Sequence, residues 1–337
     1  MQTYYFKGVV TAVEPLTVSL NSSATHRLPR NGGYRSRPFM PATSVRGALR
    51  HACHLALSGH LAKKDEKLSL DQHFVLAQGI DITKKAEEMK AGTIDASVAL
   101  REANPFISLW GRWGLGGHAN IGNMYPVNEE CSAEFGGGNR GVMFERNSEL
   151  ISCLDESEVE RLNMIIQEQA DSSELIKPIK AQRQTLMKSL KTLDDSDAIE
   201  KVKEKIAELD AQEKAIKDDK KGSREAIRRP IDSFEAFVAG CELTHRMAVQ
   251  AASDDELGLF LSGLQVFARE PYLGGHRAHN CGRISATYEV SVYPEDADKP
   301  EVIGTVSFNE EGFVVCGYKL QSVRDSWKRR EMDLSVW

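Results

Sequence analysis

Two prolines, Pro38 and Pro41, stand directly ahead of a helical pattern and so decide where this chain can coil and where it cannot. Each fixes its own φ and pushes its predecessor toward extended geometry, so the stretch from Arg35 to Pro41 cannot be helical. Thr43 and Ser44 then supply N-cap residue types, and Val45, Ala48, Leu49, Ala52 and Leu55 recur at helical spacing. The spacing predicts a helix from about Val45 to about Leu61 that leaves an extended loop. Arg46 and Arg50 share one face of it. Helix-start amides beside two arginines make a place for anionic groups, phosphate above all.

The charge around this stretch is one-sided. Between Pro15 and Lys64 there is no Asp or Glu, while Arg27, Arg30, Arg35, Arg37, Arg46 and Arg50 all fall inside. The whole chain carries a formal charge of -6. Such a local field in an acidic chain points to a polyanion. The plainer alternative is a basic face paired with carboxylates from elsewhere in the fold. No apolar run approaches the ~18 residues of a membrane span, and the N-terminal residues lack a signal-peptide core. Six cysteines without a Cys-x-x-Cys pair suggest reduced thiols in a cytoplasmic protein.

Taken in order, Tyr4–Val13 reads as a strand, with a turn at Asn31-Gly-Gly33 in the basic loop that follows. Thr83–Lys90 predicts a helical turn or two. Asn104–Pro126 is too glycine-rich for a helix and too aromatic for a linker. Trp110, Trp113 and Tyr125 could stack on bases or plug into the core. Val127–Arg146 reads as a hairpin centred on the glycines from Gly136 to Gly141. From Asp155 to about Arg229 glycine almost vanishes and Lys and Glu dominate. Pro178 suits the first position of a helix, and Asp197 with Glu200 forms a capping-box pattern for the next. Ile199, Val202, Ile206, Leu209 and Ile216 give that second helix a heptad spacing interrupted by Glu213. The two predict a coiled-coil hairpin of roughly 25–30 Å, ending in a basic cluster with Arg228 and Arg229. Phe234–Val249 reads as one strand, Ser253 opens a helix with an acidic first turn, and Glu270–Tyr288 brings a glycine-rich basic loop into the strand Ile284–Val292. A hairpin, Val302–Phe308 with Phe313–Leu320, precedes a polar tail.

This order predicts an α+β fold with a ferredoxin-like (RRM-like) βαββαβ core, Gly-rich loops and an inserted helical coiled-coil hairpin. The core takes residues 1–140 and 230–337, and the insert 141–229. The segment Arg37–Arg50 resembles the signature of the RAMP superfamily of CRISPR-associated proteins. That signature runs proline, small residues, Ser, an apolar residue, a base, Gly, one residue, Leu, Arg. The likeness extends to Asn104–Pro126 and Glu270–Tyr288, and is greatest to the guide-RNA backbone subunits of type IV CRISPR effector complexes. It implies an enlarged thumb at 141–229. It also implies RNA-binding roles for Arg27, Arg30, Arg35, Arg37, Ser44, Arg46, Arg50, Arg112, Trp113, Arg228, Arg229, Gly274, Gly275, His276, Arg277 and Arg283. The partners implied are a CRISPR guide RNA, a DNA target paired with it, copies of this chain head to tail, other effector subunits and a helicase, in a prokaryotic cytoplasm and away from membranes.

The clusters His51-Ala-Cys53-His54 and His276-Arg-Ala-His279-Asn-Cys281 lack the spacing of a zinc site, and the sequence implies neither metal nor cofactor. Type III backbone subunits cut target RNA with an aspartate in the loop before the signature helix. Here that loop, Leu20–Thr43, holds no carboxylate, so the resemblance implies binding without catalysis. The alternatives are a guide-processing endoribonuclease using His26, His51 or His118, and a coiled-coil scaffold without RNA.

Overall fold

The computed structural model describes residues 2–18, 27–32, 36–83, 85, 93–136, 139–140, 144, 148–190, 196–218, 229–230, 233–295 and 297–330. Strand β1 (Gln2–Ala12) buries Tyr4, Phe6, Val10 and Ala12 and exposes Tyr5, Lys7 and Val9, the period-two alternation of a sheet with one covered face. It pairs antiparallel with β8 (Glu242–Ala252) on one side and β9 (Ile284–Val292) on the other. Beyond β9 lie β10 (Glu301–Asn309) and β11 (Gly312–Cys316). On its far side β8 takes the short β2 (Ala119–Ile121) and β3 (Tyr125–Pro126).

The covered face carries α1 (Ala42–Ala62) and α7 (Asp254–Phe267). Their closest approach is at Gly263, where a Cβ would lie 2.1 Å from Cys53 Sγ, so glycine is what lets the helices meet. Phe6 from the sheet meets Phe260 of α7 edge to face at 5.2 Å. The start of α7 is the one its sequence announces. Ser253 and Glu256 form a reciprocal capping box, with Ser253 N–H donating to Glu256 Oε2 at 2.8 Å.

Several segments fold otherwise than their patterns predict. Helix α1 starts three residues early at Ala42, with Pro41 as N-cap and no side-chain cap, so Thr43 and Ser44 do not serve as one. The polar segment after it forms α2 (Leu70–Gln78) and α3 (Ile94–Ala103). Most of Thr83–Lys90 lies outside the described residues. The stretch taken as non-helical includes α4 (Pro105–Trp110), because Asn104 accepts from Phe106 N–H and Ile107 N–H at 3.1 Å and Pro105 suits a first turn. The hairpin expected at Val127–Arg146 does not close on itself. Its β4 (Ser132–Gly136) pairs with β7 (Ser233–Phe237), and β5 (Asn139–Arg140) pairs with β6 (Arg229–Pro230). Phe234–Val249 is two strands, β7 and β8, separated by a turn at Gly240 with φ of +82°. The expected polar tail begins with helix α8 (Tyr318–Arg329), whose Leu320, Val323 and Trp327 are buried.

Contacts divide the chain into Met1–Phe135 with Ser233–Trp337, and Gly136–Asp232. The second unit holds α5 (Glu156–Leu190) and α6 (Ser196–Asp218). Pro178 does not start a helix but lies inside α5, because the residues before it are themselves helix formers. At about 1.5 Å per residue, the 35 residues of α5 reach well beyond the expected hairpin length. The two helices run antiparallel, with Arg183 bonded to Asp210 at 2.7 Å and to Glu213 at 3.4 Å. Glu213, the break in the heptad pattern, is 9% exposed and also bonds Lys217 at 2.7 Å, so it serves as an ionic tie across the seam.

Candidate nucleic-acid interface

Three stretches far apart in sequence meet where the chain turns into α1. Met40 and Met124 exchange backbone hydrogen bonds of 3.0 Å, and Ala42 N–H donates to Asn123 Oδ1 at 2.7 Å. Phe39 packs on Tyr125, ring centroids 5.9 Å apart. From the other side comes the glycine-rich loop: Gly275 N–H donates to Thr17 O at 3.1 Å and Gly282 N–H to Pro15 O at 2.8 Å. Gly274, at φ +76°, sits so close that a Cβ would lie 1.7 Å from Thr17 O. The backbone this glycine admits is therefore the chain's own.

The arginines around this junction divide into committed and available ones. Arg46 and Arg50 do share a face, and on that face both guanidinium groups meet the chain's own carbonyls. Arg46 donates to Ala119 O at 2.7 Å and Trp110 O at 2.5 Å. Arg50 donates to Leu76 O at 2.6 Å, Val75 O at 2.8 Å and Trp110 O at 3.2 Å. Val75, Leu76 and Trp110 lie in the last turns of α2 and α4, at the negative ends of the helix dipoles, and Val75 O also accepts from Gly79 N–H at 2.9 Å. Burial, and secondarily the neighbouring Arg46, lower Arg50 to about 10, so it stays charged at neutral pH. Ser44 lies half-buried in the first turn of α1.

Arg30 is committed too. It bonds Glu235 at 2.5 and 2.9 Å, and the same carboxylate, 14% exposed, accepts from Leu28 N–H and Ser132 Oγ. Burial opposes the charge on Glu235, but these donors, Arg30 first, hold its carboxyl below the usual range. Glu235 was not singled out from the sequence. Its signal is a lone carboxylate in the apolar strand Phe234–Phe237. Because the folded carboxyl titrates lower than the unfolded one, its stabilisation is present above the ordinary carboxylate range and is lost as pH falls through the depressed value. Glu235→Gln is expected to cost about 2 kcal/mol at pH 7. In urea melts the gap to the parent should close in acid, and a gap independent of pH would rule the ionic anchor out.

The other cations lie at the surface. Arg27 is exposed, and no ion-pair partner for it occurs among the described residues. Arg37 pairs with Glu129 at 2.9 Å and is 40% exposed. Arg277 is 59% exposed, pairs with Glu270, and lies 4.6 Å over the Tyr272 ring. Arg283 is 39% exposed and reaches Glu310 at 3.5 Å. Exposed pairs of this kind are worth about 0–1 kcal/mol, so a phosphate can replace the carboxylate at little cost. His276 stacks on Phe234, planes 9° apart and centroids 4.3 Å apart. Of the tryptophans, Trp110 is in the core while Trp113 is 53% exposed. Arg112 is half-buried in a tight turn with Leu115. Arg35 and Arg228 lie outside the described residues, as does the side chain of Arg229.

The histidines named as possible bases are scattered. His26 lies outside the described residues, and His51 is exposed beside His54, which itself bonds His73 at 2.8 Å. His118 Nδ1 bonds Glu256 at 2.7 Å, by a cavity of about 460 Å³ that Arg101 and Arg330 also line. Among the described residues no three His, Cys, Asp or Glu side chains gather as a metal site, and no helix is long and apolar enough to cross a membrane.

No family model matches the sequence, and no curated protein matches it. Among solved structures, the chain is similar to one in "Type IV-B CRISPR Complex", at 15% identity and a TM-score of 0.43, covering 88% of this chain and 95% of that one. It is also similar to one in "Cryo-EM structure of the Type III-B Cmr-beta bound to cognate target RNA", at 7% identity and a TM-score of 0.38, covering 89% of this chain and 61% of that one. The structural neighbours of this chain thus come from a Type IV-B CRISPR complex and a Type III-B Cmr complex.

Proposed function

We propose that this chain is a non-catalytic, RNA-binding backbone subunit of a CRISPR effector complex, holding a guide RNA and repeating head to tail along it. The observation that carries the reading is the junction itself. Of the three stretches that resemble the RAMP superfamily in sequence, Asn104–Pro126 bonds the chain at Met40 and Ala42, and the glycine-rich loop docks on Pro15 and Thr17 with Gly274 beside Met40. Arg27, Arg37, Arg277 and Arg283 of this region are exposed. The strand order β9-β1-β8-β2, with α1 after β1 and α7 after β8, supports a ferredoxin-like core carrying further strands at one edge. Among the described residues two carboxylates reach the basic loop, Glu129 at Arg37 and Glu235 at Arg30, and Glu235 is the less exposed of them. The bonds of Glu235 to Arg30, Ser132 and Leu28 suit an anchor better than a base. Pairing between guide and target would then read sequence, while the protein holds backbone and shape.

The test is fluorescence anisotropy with a labelled single-stranded RNA across a salt series. The triple variant Arg27→Gln, Arg277→Gln, Arg283→Gln should bind more weakly whatever the RNA sequence. Its log–log salt slope should flatten by about 2, at about 0.7 per lost single-strand contact. Unchanged binding with an unchanged slope, or cleavage of the RNA by the parent protein, would overturn the reading.

A further inference from the structure

The sheet has a second face that, among the described residues, no helix of its own unit covers, and β1 reaches it with Tyr5, Lys7 and Val9. The register sets Lys7 directly opposite Arg246 of β8. Like charges in that position repel and destabilise a sheet. Glu289 of β9 faces Lys7 from the other side, yet no ion pair joins it to either cation, all three being described residues. Two cations beside one carboxylate leave this exposed spot net positive, which fits a site that takes a further negative charge from outside. The pair lies in a groove of about 690 Å³, walled by Val9, Thr244, Gly122, Asn123, Tyr125 and Glu289. That volume is in the range of ligand sites, ~300–1,000 Å³. Two residues along β1, and on the same face, Tyr5 meets Tyr293 edge to face at 5.5 Å, with both rings exposed. Cations beside exposed aromatics are the pairing that single-stranded nucleic acid uses, phosphate on one and base on the other.

We propose that this open face is a second surface for single-stranded RNA, with a phosphate held between Lys7 and Arg246 and a base resting against Tyr5 and Tyr293. It lies on the opposite side of the sheet from α1 and α7. It rests on the nucleic-acid reading above but uses none of the same side chains.

The probe is a fluorescein-labelled ten-nucleotide oligouridine, titrated by anisotropy across a salt series. Lys7→Gln with Arg246→Gln should lower affinity at least about tenfold and flatten the salt slope by about 1.4, as two lost contacts require. Lys7→Arg with Arg246→Lys should keep both. Lys67→Gln with Lys299→Gln, an equal charge change at exposed positions elsewhere, should change little. An equal loss in that control would make the effect one of net charge and overturn the site. If Lys7→Gln with Arg246→Gln binds as the parent does while Arg277→Gln with Arg283→Gln does not, this inference falls and the functional reading stands. If the parent binds no RNA, both fall. Unchanged binding of the short probe with shorter arrays on a long RNA would assign the face to a neighbouring copy and also overturn it.

Discussion

Arg50→Ala should lower stability by about 3 kcal/mol or more, although the residue belongs to the most basic stretch of the chain. The cause is what the guanidinium leaves behind. Leu76 O loses its charged donor at 2.6 Å, Val75 O and Trp110 O lose theirs at 2.8 and 3.2 Å and keep only Gly79 N–H and Arg46, and the last turn of α2 loses what ties it to α1. Water can reach these carbonyls only by loosening the packing around Phe106 and Trp110, both in the core. Arg46→Ala should follow the same course, with Ala119 O losing this donor and Trp110 O left to Arg50. Urea unfolding gives the stability, and RNA titrations well below the unfolding midpoint give the salt slope. A protein of parental stability with a flattened slope would mean that these side chains reach RNA after all.

Gly274→Val should be comparably severe, at about 4 kcal/mol, from two costs that add. The position has φ of +76°, which a β-branched residue resists, and the new Cβ would be driven to 1.7 Å from Thr17 O. The loop must then lift, breaking the bonds from Gly275 N–H to Thr17 O and from Gly282 N–H to Pro15 O. Hydrogen exchange at these two amides should rise along with the fall in melting temperature. Fast exchange without loss of stability would show that the loop docks only weakly. A fold of full stability that loses RNA binding alone would show that RNA, not Thr17, needs the missing side chain.

What the sequence reveals and what it hides divides along a physical line. Local rules were legible: Ser253 and Glu256 announce α7, and the apolar spacing from Val45 announces α1. The same local logic was available for α2, where Ser69 and Gln72 form a capping box, but its apolar face is short. Periodicity also put Arg46 and Arg50 on one face. It could not say what that face meets, because the answer is the ends of two helices, α2 and α4, both unexpected. The partners of Arg30 and Arg37, Glu235 and Glu129, stand 205 and 92 residues away, beyond any windowed reading. For both, the plainer alternative of a basic face paired with distant carboxylates describes the contacts. The misplaced hairpin has the same origin. β4 carries strand-forming residues, but its partner β7 lies across the whole helical insert.

The place of β1 also bears on how the chain is made. It leaves the ribosome long before its partners, since Phe6 pairs with Met247 and Val290. At about 5–20 residues per second, translation keeps this apolar strand waiting roughly 10–50 s for its neighbours. Through that interval the α5–α6 hairpin can form on its own contacts, while the central strand of the sheet has no native edge to join. Nascent chains stalled before residue 240 should therefore depend on chaperones or aggregate through Tyr4–Val10, whereas chains released after residue 292 should not.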